Sequence, residues 1–227
     1  MARRKTYLQN AALLTACGLL LRVLGMGFRV VLSAYLGSEG MGLYQLILAV
    51  YMVFVSLATA GINVASARLA AQSLARGRGM AATLHDLCGT ALLFGCMAMM
   101  LQVLLAEPAA RFLLHDTRAI LALQILAPSL PFMAAAGAVR GCFLAARRVH
   151  PNVITQLIEQ LVRMAIAIAA LRALARWGAG YGCAAVVLGN TISEGVSCAL
   201  MLAFAAKTPA FARRRDEPLQ PYTQKEL

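Results

Sequence analysis

The sequence predicts an all-α membrane protein with six transmembrane helices, and three observations carry that prediction. Hydrophobic residues make up 61% of the 227 and charged residues 13%, with mean hydropathy +0.73, whereas soluble domains carry about 25% charged residues. Six apolar runs, 11–36, 42–66, 81–106, 119–139, 151–173 and 181–205, are long enough to cross a bilayer, for which about 20 residues suffice. The basic residues are sorted by connection. Fourteen fall in 1–10, 67–80, 140–150 and 206–227, against four (Arg111, Arg118, Arg172, Arg176) in the alternate connections or at the span end beside them. Lys and Arg accumulate on the cytoplasmic side, so both termini are expected there, in a multi-pass protein of the plasma membrane. On this reading 1–10 is a cytoplasmic N-terminus, 11–205 a six-helix transmembrane unit and 206–227 a basic cytoplasmic tail.

Each run is expected to be helical, because lipid offers the backbone no partner outside a helix or a closed barrel. Barrel strands would read as short alternating segments, and these runs are long and continuous. The start MARRK followed by apolar residues has the form of a signal peptide. Arg22 and Arg29 interrupt it and five more runs follow, so it is expected to be a retained first helix.

Those two arginines are the first notable feature. No acidic residue accompanies them in Leu13–Leu36, and a charge at the centre of a spanning helix costs at least ~2.5 kcal/mol. A spacing of seven is close to two helical turns, so both side chains leave on one side, about 10 Å apart along the axis. Such a face suits an anionic ligand in a wet cavity. The alternative is that both snorkel, or pair with carboxylates on neighbouring helices.

Down the chain, Gly37, Gly40 and Gly42 in GSEGMG predict a tight turn between the first two helices. The second helix carries small residues (Ala58, Ala60, Gly61, Ala65, Ser66) that permit close helix approach. The third is nearly featureless, with Asp86 near one end. EPAARFLLHDTR after it is expected along the interface. The fourth contains Pro128 and Pro131. Each proline removes one backbone bond and crowds the preceding turn, so this helix is expected to kink and is a candidate hinge.

The fifth helix holds a polar stripe, Gln156, Glu159, Gln160 and Arg163, at i, i+3, i+4 and i+7. Glu159 precedes Arg163 by four residues, the favourable order for a helical ion pair. In the sixth, Asn190, Ser193, Glu194 and Ser197 repeat the spacing. Three helices with one polar face each are expected to surround a shared hydrated space. Glu194 could then serve Arg22 or Arg29, leaving the cavity neutral or slightly positive, which favours an anionic ligand over a cationic one.

The six cysteines (17, 88, 96, 142, 183, 198) form no CxxC pair and are expected as buried free thiols. His85, His115 and His150 share no ligand pattern. No catalytic arrangement, metal site or cofactor motif is present in the sequence, and no aromatic-interleaved basic patch points to nucleic acid.

RVLGMGFRVVLSAYLGSEGMGLYQL, TAGINVASARLAAQ and RGCFLAARRVHPNVITQLIEQLVRM resemble the stage V sporulation protein B branch of the oligosaccharide flippases. That branch lies in the superfamily of multidrug and toxin extruders, polysaccharide exporters and lipid II flippases. The resemblance implies one lobe of a two-lobe transporter that opens alternately to each side of the membrane. The implied cargo is a polyprenyl-pyrophosphate-linked saccharide, a cell-wall or polysaccharide precursor. First-helix arginines are implied to hold the pyrophosphate: Arg22 matches in RVLG, and Arg29 follows at seven residues instead of six. The acidic residue that follows the second arginine in lipid II flippases is Val30 here. Implied substrate-binding residues are thus Arg22 and Arg29, with Glu159, Arg163 and Glu194 from the polar stripes.

Family members have twelve or more spans and six are read here. The expectation is therefore an N-terminal lobe, competent when paired with a second lobe, as a homodimer or a separately encoded half. The alternatives are a multidrug or cation antiporter of the same superfamily, disfavoured by the arginines, and a truncated membrane protein that does not transport. Reporter fusions test the topology: one after Lys207 is expected to read cytoplasmic and one within Glu107–Arg118 external. The reverse at both sites would overturn the assignment.

Overall fold

A computed structural model describes residues 2–59, 61–75, 80–146, 148–174 and 179–208. The basic side chains at 76, 78, 147 and 176 and the tail beyond Thr208 lie outside the described residues. The helices are α1 (Ala2–Thr59), α2 (Ile62–Ala75), α3 (Met80–Pro108), α4 (Ala119–Leu126), α5 (Ser129–Ala145), α6 (His150–Leu174) and α7 (Ala179–Lys207). A π-helical turn, Ala109–Leu113, follows α3, and no strand occurs among the described residues. The protein is an all-α membrane protein.

At 58 residues, α1 would extend about 87 Å if straight, roughly three times the hydrocarbon thickness of a bilayer. It is not straight. Gly37 sits at φ 68°, ψ −175°, a conformation that glycine adopts without a Cβ penalty. The packing on either side shows that the chain doubles back there. Cys17 packs on Val149 and Val153 at the start of α6, and Leu36 reaches Gly182 at the start of α7. Beyond the turn Cys183 donates its thiol to the Gly40 carbonyl at 3.3 Å, and Tyr51 bonds Ser129 at the start of α5 at 2.6 Å.

Residues 15–36 therefore climb alongside α6, and 38–59 descend alongside α7. Five continuous apolar segments, Thr15–Ser73, Thr83–Leu113, Ala119–Ala145, His150–Ala173 and Gly180–Lys207, are present among the described residues, and the reversal at Gly37 divides the first into two antiparallel stretches. Of the three glycines expected to make this turn, Gly37 alone leaves the helical conformation. A second break at Gly61 (φ 73°) separates α1 from α2, so the run read as 42–66 is bent near its end.

The proline helix is in two pieces, α4 and α5, joined at Ala127–Pro128. The carbonyls around the break find partners on neighbouring side chains. Gln102 Nε2 donates to Leu123 O at 2.7 Å, Thr191 Oγ1 to Ile125 O at 2.7 Å and Ser129 Oγ to Leu126 O at 2.5 Å. This is how a membrane helix tolerates proline: hydroxyls and amides from neighbouring helices and the next turn serve the carbonyls around the break. Pro131 has a packing role, because α3 crosses it at Gly95, where an added Cβ would lie 2.6 Å from Pro131 Cα.

At the Gly37 end Arg118 clasps three segments. It bonds Asp116 (3.0 Å) and Glu39 (2.9 Å), and its stem lies against Gly180. The guanidinium holds the Asp116 carboxyl below the usual carboxylate range. Next to it Phe112 (80% exposed) and Leu113 (68%) turn outward. Cysteines 17, 142, 183 and 198 are buried, Cys88 is half-buried and Cys96 is exposed on the outer face of α3, so Cys96 departs from the burial expected of all six.

Two glycines on α3 make opposite predictions. Gly95→Ala drives a Cβ into Pro131 backbone and is expected to cost about 1–3 kcal/mol. A Cβ at Gly89 would meet nothing within 4 Å, so Gly89→Ala is expected to be neutral or to stabilise by up to ~1 kcal/mol through helix propensity. Thermal unfolding of the purified variants in detergent measures both.

Candidate functional site

The polar stripes of α6 and α7 run antiparallel and meet. Gly189 permits it: a Cβ there would come within 2.9 Å of Ala167 N and 3.0 Å of Arg163 O, so the two backbones approach closely at this level. Arg163 Nε then reaches Ser193 Oγ at 3.4 Å, and Ser197 Oγ donates to Glu159 Oε2 at 2.8 Å. Within α6, Arg163 Nη2 donates to Glu159 Oε1 at 2.7 Å, the i, i+4 pair that the sequence predicts.

The third helix in the cluster is α5. Arg140 Nη2 donates to Glu159 Oε2 at 2.8 Å and to Ser197 Oγ at 2.7 Å. Glu159 thus accepts from two guanidinium groups, one on each carboxylate oxygen, and from a hydroxyl. Its side chain is 13% exposed and each arginine 25%, so these bonds face little competition from water and are correspondingly stronger. Glu194, 4% exposed, stands 3.5 Å from Arg163 through Oε1, and its Oε2 is buried with no hydrogen-bond partner.

Sequence reasoning missed Arg140, which it counted among loop cations by ending the fourth helix at 139. The signal was present: Gly141, Cys142, Phe143, Leu144 and Ala145 continue the apolar run, and α5 extends to Ala145. It also missed Gln102, whose amide serves the proline break, and the Tyr51–Ser129 bond. Glu194 was expected to serve Arg22 or Arg29, and its nearest cation is Arg163 instead. The stripes of the fifth and sixth helices bond to each other, so much of their polarity is consumed internally.

Arg22 and Arg29 are both exposed. The buried stripe of their helix runs through Cys17, Phe28 and Leu32, and at 100° per residue both arginines lie on one flank of it. Among the described residues neither makes a hydrogen bond or ion pair. Tyr44 packs with Phe28, Leu32 and Met164 in one cluster, so the first stretch of α1 lies against the helix that carries Arg163. Of the two proline candidates, Pro128 occupies the α4–α5 junction and Pro131 the contact with Gly95. A separate half-open cleft lies between α2 and α3, lined by Gln72, Ser73, Thr83 and Asp86 among others. Two of its hydroxyls, Ser73 Oγ and Thr83 Oγ1, bond each other at 2.6 Å.

Residues 7–217 match the family described as polysaccharide biosynthesis protein. The chain belongs to that family. Stage V sporulation protein B of Bacillus subtilis (strain 168) is 27% identical over 194 residues, which cover 84% of this chain and 37% of that protein. The chain thus spans well under half the length of this relative. No solved structure matches. Membership and the apolar helices together make this a multi-pass membrane protein of the polysaccharide biosynthesis family, the group to which the quoted motifs pointed.

The cluster predicts unequal costs of substitution. Glu159→Gln leaves Arg140 and Arg163 facing each other without their shared carboxylate and is expected to cost about 3–5 kcal/mol. Arg163→Gln leaves Glu159 with Arg140 and is expected to cost less. The double variant is expected to fall well short of the sum, because the partners share one network. Unfolding of the three variants in detergent measures this, and simple additivity would refute the shared network.

Proposed function

We propose that this chain is the N-terminal lobe of a flippase for lipid-linked oligosaccharide, with a polyprenyl-pyrophosphate saccharide as its cargo. It works by alternating access together with a second lobe, at the plasma membrane with both termini cytoplasmic. One observation carries the reading. Two of the four arginines in and beside the polar core, Arg140 and Arg163, have carboxylate partners, while Arg22 and Arg29 stand exposed on one flank with none. The net charge left over in this interior is positive, and it sits where an anion would reduce its cost.

In this reading Arg22 and Arg29 grip the pyrophosphate. Guanidinium offers planar, bidentate bonds to phosphate oxygens, which lysine supplies only as a point charge. Arg163 and Glu159, with Glu194 behind them, form the polar wall opposite, and the junction at Pro128 is the hinge about which α4 and α5 adjust. Family membership supports an exporter of this substrate class. A multidrug or cation antiporter fits less well: a cationic ligand needs a carboxylate open to the cavity, and Glu159 is saturated by two arginines while Glu194 is almost fully buried.

The test is flipping of a labelled polyprenyl-pyrophosphate saccharide in vesicles, with this chain alone and with a second lobe. Arg22→Ala and Arg29→Ala are each expected to reduce the rate about tenfold to a hundredfold, the worth of one charge-assisted bond. Arg22→Lys is expected to be nearly as impaired as Arg22→Ala. Full activity in either alanine variant would refute the grip, and activity of the lone chain as a monomer would refute the two-lobe requirement.

A further inference from the structure

The two carboxyl groups of the polar cluster are not equivalent. Glu159 accepts three short hydrogen bonds, from Arg140 (2.8 Å), Arg163 (2.7 Å) and Ser197 (2.8 Å). Glu194 accepts none: its nearest cation is Arg163 at 3.5 Å, and that guanidinium is already committed to Glu159. Glu194 Oε2 is buried and unpartnered, in a residue only 3% exposed. Arg163 lies against both carboxyls, 2.7 Å from Glu159 and 3.5 Å from Glu194, so the two share one guanidinium. Two buried carboxylates on one guanidinium do not both ionise cheaply, and one proton on the pair removes the repulsion.

The charges and titratable groups facing Glu194 are few. Glu159 and Arg163 come from α6, Arg140 from α5, the Tyr51 hydroxyl from α1 and Cys198 from α7 itself. The sequence of α4, AILALQIL, has no titratable residue. With Glu159 holding both guanidinium groups, Glu194 is the carboxyl left to carry a proton.

We propose that Glu194 is a proton-binding site, with the proton held on its buried carboxyl beside the Glu159–Arg163 pair. On release, the O–H bond of Glu194 breaks, the proton passes to water, and the new carboxylate draws Arg163 from Glu159. With the proton bound, the four groups carry one net positive charge, and without it they carry none. Proton binding and anion binding in this interior are therefore coupled, and each must favour the other. This last step rests on the flippase reading, whereas the proton site itself does not.

Infrared spectroscopy of the full chain in lipid vesicles tests it. At pH 7 the wild-type protein is expected to show the C=O stretch of a protonated carboxylic acid, shifting on transfer to heavy water. Glu194→Gln is expected to lack that band and Asp86→Asn, on an exposed carboxylate, to retain it. Glutamine matches protonated glutamic acid in size and neutrality, so Glu194→Gln is expected to melt within about 2 °C of wild type. Absence of the band in wild type, its survival in Glu194→Gln, or failure of Glu194→Gln to fold would each overturn the proposal. None of these readouts involves transport, so the flippase reading stands or falls separately.

Discussion

The double acceptance by Glu159 is the constraint from which the rest of the bundle takes its register. Two arginines from different helices are brought into a low-dielectric interior, and one carboxylate makes that tolerable. An ionic cluster of this kind adds little net stability over a well-packed apolar substitute, yet breaking it strands a charge. Its consequence is therefore geometric. Arg140 fixes α5 against α6, Ser197 fixes α7 against both, and the absence of a Cβ at Gly189 lets the backbones approach far enough for these bonds to close. A slip of one residue along α6 would turn Glu159 about 100° away from its partners.

The same bundle is interrupted at three places, and each interruption is matched to its surroundings. At Gly37 and Gly61 positive φ values reverse or bend the chain where glycine bears no penalty. At Ala127–Pro128 the exposed carbonyls would be costly in hydrocarbon, and Gln102, Ser129 and Thr191 are placed to receive them. Gln102 and Ser129 are wholly buried, so these are structural solvents for the backbone. A polar residue in a spanning helix therefore has two distinct uses here, backbone repair around the proline break and side-chain ion pairing around Glu159.

Much of this was legible in the sequence because it depends on local order. Apolar runs mark helices, and the i, i+4 interval between Glu159 and Arg163 fixes their pairing whatever the tertiary fold. What was not legible depends on which turn of one helix meets which turn of another. Arg140 looked like a loop cation because a span was ended at the first charge after an apolar run, although the helix continues five residues further. The partner of Glu194 followed from the antiparallel docking of α6 and α7, which no single-helix periodicity contains. The turn at GSEGMG was placed correctly but assigned to three glycines. One φ reversal suffices, and the helix resumes at once.

Arg22 and Arg29 remain the residues that packing among the described residues does not explain. Arg29 is eight residues before the reversal at Gly37, about 12 Å along the helix, and Arg22 is eleven residues after the start of the apolar run at 11, about 17 Å. Both thus fall toward the middle of a crossing, where a guanidinium on its short aliphatic stem reaches neither interface easily. If lipid covered this flank, each charge would carry a penalty of at least ~2.5 kcal/mol with no carboxylate among the described residues to offset it. Arg140 and Arg163 show what this protein does with an arginine that it means to bury: it supplies a carboxylate. Among the described residues none is supplied to Arg22 and Arg29. In the proposed reading the flank they occupy is a surface for water, a second lobe or an anion, where the two charges cost less than against acyl chains.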